Sequence, residues 1–252
     1  IIVGGTRAIA STVDSELVSI GYDEVFRVAG STRYSTARLI AESLGTAEPT
    51  STSCLDARTN DASARTKFYG NAVVEYRTSA TSCELLPRTV VLADGIAGID
   101  ALAAGWWTSF WQVPIVLHDG TSDLPRQTSE ALQTLNVDNI IVLGGTSRIS
   151  DAVANEAKAT AGAEQVIRIS GDDRYATSVA MAKYFGGWWP SSDGADFAGS
   201  SVCVAASSGG VTGTGWPDAL SAGPWCGRAG GAASNAGTPT RALAPYNGAE
   251  PG

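Results

Sequence analysis

Apolar positions along the chain fall into short unbroken runs separated by helical stripes, and the same succession occurs twice. Ile1-Ile2-Val3 and Ile141-Val142-Leu143 are each closed by Gly-Gly-Thr (Gly4-Gly5-Thr6, Gly144-Gly145-Thr146) and lead into segments reaching Leu17 and Ala157. Both predict a buried strand, a glycine turn and a helix. The β-branched stretches Val25 to Val28 and Val166 to Ile169 follow, ending at Gly30 and Gly171, where the missing Cβ permits a sharp turn. Ser31 or Thr32, and Asp172 or Asp173, stand where a side-chain oxygen caps the next helix. That helix carries Ala37, Ile40, Ala41 and Leu44 in one copy and Ser178, Met181, Ala182 and Phe185 in the other, a stripe at i, i+3, i+4, i+7. Gly45 and Gly186 are its expected C-caps.

A third block repeats more loosely. Thr89-Val90-Val91-Leu92-Ala93 and Ser201-Val202-Cys203-Val204-Ala205 read as buried strands, each followed by a glycine-containing loop and an Asp-Ala-Leu helix start at Asp100 or Asp218. A strand from Val113 to Leu117 and a helix from Pro125 through Leu135 come after the first of these. Strands alternating with helices at this rhythm predict an α/β fold of repeated three-layer modules with mainly parallel sheets. Residues 46–88 and 187–200 have no clear period and read as surface insertions. A unit copied along a chain stacks on its copies and contributes one surface, which points to binding or anchoring.

Composition narrows the function classes. The chain has 252 residues, enough for one or two real cores. Its formal charge of -8 excludes non-specific binding to nucleic acid or an anionic membrane, both of which need a basic footprint. No apolar stretch approaches the roughly 18 residues that span a bilayer, so no membrane insertion is expected. The four cysteines form two local pairs, Cys54 with Cys83 and Cys203 with Cys226. Without a short C-x-x-C spacing they read as two disulfides, and neither metal nor cofactor is expected. Disulfides persist outside the cytoplasm, as in a secreted protein whose export signal has been removed.

Arg27-Val28-Ala29-Gly30-Ser31-Thr32-Arg33-Tyr34-Ser35-Thr36 returns as Arg168-Ile169-Ser170-Gly171-Asp172-Asp173-Arg174-Tyr175-Ala176-Thr177. With the Gly-Gly-Thr turns, the Asp-Ala-Leu helix start and Pro114-Ile115-Val116-Leu117, this segment resembles the cell wall-binding repeat 2 family. Those modules attach S-layer and other surface proteins to Gram-positive cell walls. The resemblance implies a non-catalytic, secreted module at the cell surface that works in a set and holds an anionic cell-wall polymer. On the family's phasing, residues 1–20 are the tail half of a preceding module, 21–160 a complete module with the insertion 46–88, and 161–252 the front half of a following one. Half a module leaves sheet edges and apolar faces uncovered. The halves are therefore expected to complete each other within the chain or between copies, the latter building a filament, unless the sequence is part of a longer chain.

The expected ligand site comprises Arg33, Tyr34, Arg174 and Tyr175, with Pro114, Ile115, Val116 and Leu117 matching the family's Pro-Ile-Leu-Leu segment. Each of these arginines opens a helix, where free amides favour an anion and a guanidinium adds a bidentate contact. The neighbouring tyrosine offers a face for a sugar. The rival for Arg33 and Arg174 is a role in contacts between modules. Arg27 and Arg168 read as structural. Trp106, Trp107 and Trp111, with Trp188, Trp189, Trp216 and Trp225, read as a carbohydrate platform or a protein interface, with core filling the alternative for Trp106 and Trp111. The enzyme alternative is a wall-glycan hydrolase using His118 beside Asp119, with Asp94 and Asp100. It lacks a paired nucleophile, so no catalytic residue is assigned.

Overall fold

The computed structural model describes residues 1–44, 65–68, 72–75, 89–97, 99–111, 113–135, 137–186, 201–206 and 241–246. At its centre are β5 (Thr89–Asp94) and β7 (Asn139–Leu143), buried at every position. Such runs without alternation require a strand covered on both faces. β6 (Ile115–His118) joins β5 on one side and β8 (Gln165–Ile169) joins β7 on the other, giving a parallel sheet of order β6-β5-β7-β8. The sheet thus runs past residue 160, because only Gly162 to Glu164 separate β8 from the helix before it.

Helices cover both faces, as the alternation of elements requires. On one face Val91, Ala93, Ile141, Leu143 and Ile169 meet Trp106 and Trp107 of α3 (Ile99–Trp111) and Met181 of α6 (Arg174–Gly186). On the other, Val90, Leu92, Val116, Ile140 and Val142 meet Ala41 of α2 (Arg33–Leu44), Leu132 of α4 (Arg126–Leu135) and Val153 of α5 (Asp151–Ala161). Ser150 caps α5 by accepting from Val153 N at 3.2 Å, and Gly162, left-handed at φ 66°, ends it. Gly186 is the last residue of α6 and not a residue beyond it, while Gly45 lies outside the described residues.

Two parallel sheets of two strands each, among the described residues, accompany this central lobe. In the first lobe β1 (Ile2–Val3) runs parallel to β2 (Arg27–Val28) beside α1 (Thr12–Ser19), which buries no residue. In the last lobe β9 (Ser201–Ala206) runs parallel to β10 (Arg241–Tyr246). The two remain separate sheets, so the halves do not join within the chain among the described residues. Helices tie the lobes together. α2 leaves β2 and packs on β6 and α4, and α6 leaves β8 and packs on α3 and β10. The insertion 46–88 carries an antiparallel pair, β3 (Arg65–Phe68) with β4 (Ala72–Glu75). Cys54, Cys83 and Cys226, and the side chain of Cys203, fall outside the described residues, as do Trp188, Trp189, Trp216 and Trp225.

Candidate binding site

The Arg-Tyr segment folds the same way in both copies. Arg27 donates to Gly4 O at 2.8 Å and to the Asp14 carboxylate; Arg168 donates to Gly144 O at 2.8 Å and to Asp151 at 3.0 Å. The first arginine of each copy therefore fastens the Gly-Gly turn to the neighbouring strand. Next, Gly30 N donates to Thr36 Oγ1 at 2.9 Å and Gly171 N to Thr177 Oγ1 at 3.1 Å. Of the paired cap candidates, Thr32 and Asp173 take the role, accepting from Ser35 N at 3.2 Å and Ala176 N at 2.7 Å. A Cβ on Gly30 would stand 2.2 Å from Ser35 Oγ, and one on Gly171 2.3 Å from Ala176 Cβ, so the loop closes only on glycine.

This loop places the second arginine at the junction between lobes. Arg33 reaches across to donate to Gly95 O at 2.9 Å, at the carboxyl end of β5. Tyr34 lies over the same glycine, its Cε1 2.7 Å from where a Cβ would be. Beside them opens a cleft of about 640 Å³ lined by Gly5, Thr6 and Arg7 of the first lobe, Ser31 and Arg33 of the loop, and Leu117 of β6. Arg7 and Arg33 form no ion pair among the described residues, and the first turn of α2 holds no acid. Two guanidinium groups and a helix amino end thus give the cleft positive character. Arg7 was not singled out by sequence, because its counterpart in the other copy is Ser147 and the nearest arginine there, Arg148, is one place further on.

The second junction is built alike but charged differently. Arg174 opens α6 as Arg33 opens α2, yet the electrostatic neighbours of Asp100 are Asp94, Arg174 and Arg148. Burial, and then repulsion from Asp94, raises the Asp100 pKa above the usual carboxylate value, with Arg174 and Arg148 opposing. Asp94 is buried and accepts from Ile96 N at 2.8 Å and Ala97 N at 3.3 Å. Tyr175 is half-buried. The structure therefore sets Arg33 with Arg7 and Leu117, and Arg174 with acidic groups.

The Pro114 to Leu117 segment divides. Pro114 and Val116 are buried, Ile115 packs toward α3, and Leu117 alone lines the cleft. His118 is also buried, its Nδ1 accepting from Gly120 N at 3.1 Å, while the Asp119 carboxylate is held by Thr121 Oγ1 at 2.6 Å. These bonds hold Asp119 within its own loop, with His118 among its electrostatic neighbours. Trp106 and Trp107 are core residues.

The family description "Cell wall binding domain 2 (CWB2)" matches residues 27–154 and 168–233. An amidase enhancer of Bacillus subtilis (strain 168) is 32% identical over 123 residues, covering 48% of this chain and 17% of that protein. The N-acetylmuramoyl-L-alanine amidase LytC of the same organism is 27% identical over 175 residues, covering 69% of this chain and 26% of that protein. The chain therefore spans about a quarter or less of the curated relatives it matches. Among solved structures, Cwp8 from Clostridium difficile aligns over 96% of this chain and 30% of its own, with a TM-score of 0.60 and 17% identity, a likeness of fold.

Proposed function

Because the chain belongs to the Cell wall binding domain 2 family, we propose that it binds an anionic polymer of the bacterial cell wall without catalysis and so anchors a secreted protein to the cell surface. The observation that carries this reading is the cleft between the first and central lobes, where Arg7 and Arg33 stand together beside the amino end of α2. Guanidinium groups there suit phosphate or carboxylate of a polymer backbone. Ala37, Ile40 and Leu117 supply the apolar border, and Tyr34 packs over Gly95 next to it. Catalysis has no support in the burial of His118 or the engagement of Asp119 with Thr121. Arg174 and Tyr175 form a second, weaker contact, because Asp100 competes with an anion for Arg174. Assembly into a filament or surface layer is a second reading, favoured by the sheets β1-β2 and β9-β10 having two strands each and not joining among the described residues.

Co-sedimentation with purified wall, before and after its secondary polymers are stripped, tests the main reading. Binding is expected to need the polymers. Arg7→Ala with Arg33→Ala is expected to weaken it at least tenfold, since each charge-assisted contact contributes about 1.5 to 3 kcal/mol. Arg174→Ala alone should weaken it less. Equal binding to stripped wall, or release of soluble wall fragments by the chain, would refute the reading.

A further inference from the structure

Three of the residues expected at the ligand meet at one buried glycine of the central lobe. Gly95 follows β5, and a Cβ there would stand 2.7 Å from Tyr34 Cε1, 3.0 Å from Leu117 Cβ and 3.0 Å from His118 O. Its carbonyl accepts from Arg33 Nη1 at 2.9 Å. Leu117 and His118 are held in β6 by its pairing with β5. A methyl group on Gly95 would therefore displace the Tyr34 ring, and with it the helix turn that carries Arg33.

The loop that presents Gly95 is itself braced. Asp94, 3% exposed, accepts from Ile96 N at 2.8 Å and Ala97 N at 3.3 Å, which closes a turn on its own carboxylate. Gly95 N donates to His118 O at 2.7 Å and so continues the pairing of β5 with β6 beyond Asp94. Ile96 leans over Gly120, its Cδ1 2.5 Å from where a Cβ would be. With its N–H bound to β6, Gly95 has its carbonyl left for α2, and Arg33 takes it. A guanidinium is planar, and its five N–H groups have fixed directions. A bond through Nη1 leaves Nε and Nη2, an edge that can donate to two oxygens of one anion.

We propose that Gly95 is the positioning residue for Arg33: its carbonyl fixes the guanidinium plane, so that the free edge takes an oxyanion group of the wall polymer in one orientation. This inference rests on the binding reading above. It adds a requirement of geometry where that reading asks only for charge.

Dissociation constants from co-sedimentation with polymer-bearing wall test it. Arg33→Ala is expected to weaken binding about tenfold, and Arg33→Lys nearly as much, because lysine keeps the charge without the planar fork. Gly95→Ala is expected to match Arg33→Ala and to add no further loss when the two are combined. Should the added methyl group disturb the fold, as circular dichroism would report, Asp94→Asn replaces it, filling the same space without the acceptor for Ala97 N. That variant too should weaken binding only where Arg33 is present, whereas loss of a negative charge by itself would strengthen it. Nitrogen-edited NMR gives a readout without polymer: the Arg33 Nε–H is expected to be rigid in the wild type and mobile in the loop variant. Lysine binding as tightly as arginine, a loop variant that binds as the wild type or loses as much again in the Arg33→Ala background, or an Arg33 Nε–H already mobile in the wild type overturns the positioning alone. A wild-type chain that leaves polymer-bearing wall unbound, or binding unmoved by Arg33→Ala, overturns the binding reading and this inference with it.

Discussion

At the scale of single residues, the motif's two arginines separate by what their guanidinium groups meet. Arg27 and Arg168 are spent on carbonyls and aspartates within their own lobe, whereas Arg33 and Arg174 look across a junction. Asp100 marks the difference between the junctions, and its cost can be read by titration. Its carboxyl group takes up a proton more readily in the fold than in the unfolded chain, where the ordinary value is 3.8. The folded state then holds more protons as pH rises from that value to the raised one, so stability falls across this window and the loss persists at neutral pH. Asp100→Asn, which fills the same space without ionising, is expected to raise the urea midpoint at neutral pH and to leave it unchanged well below the ordinary carboxylate range. An equal gain at both pH values would show that the charge is not the cause.

At the scale of elements, sequence copies predict equal helices, but tertiary partners make them unequal. α5 has a working cap and buries Val153, Ala154, Ala157 and Ala161. α1 buries nothing, and Ser11, at φ -64° and ψ -20°, makes no side-chain cap. Ser150→Ala is therefore expected to cost about 1 kcal/mol in chemical denaturation and Ser11→Ala close to nothing. The strands β5 and β7 and the alternation of layers were legible because unbroken apolar runs admit few alternatives once helical stripes lie between them. The pair β3-β4 was missed because Arg65-Thr66-Lys67-Phe68 has no apolar run, although Gly70-Asn71 before Ala72-Val73-Val74 is a hairpin signal that points to it. Repetition pointed to Arg33 as a site residue, but the same logic hid Arg7, whose counterpart is a serine. Likewise Val116 matches the family segment yet is core, because strand alternation sends alternate members of Pro114 to Leu117 to opposite faces.

At the scale of the whole molecule, a four-stranded sheet covered on both faces stands beside sheets of two strands among the described residues, and stability should follow that difference. Amides of β5 and β7 lie in a sheet covered on both faces, so they exchange with solvent only by large openings. Those of β1, α1 and β2 belong to a two-stranded sheet with a helix that buries no residue, and two strands alone are marginal in water. Hydrogen exchange on dilute protein is expected to label residues 1–28 well before the peptides containing β5 and β7. Raising the concentration is then informative. If copies assemble through their two-stranded sheets, as the second reading has it, peptides of β1 and of β9 should slow together, while the central strands, already paired on both sides, keep their rates. Slowing confined to the central lobe would place self-association elsewhere, and labelling of β5 as fast as β1 would contradict the difference in cover between the two sheets.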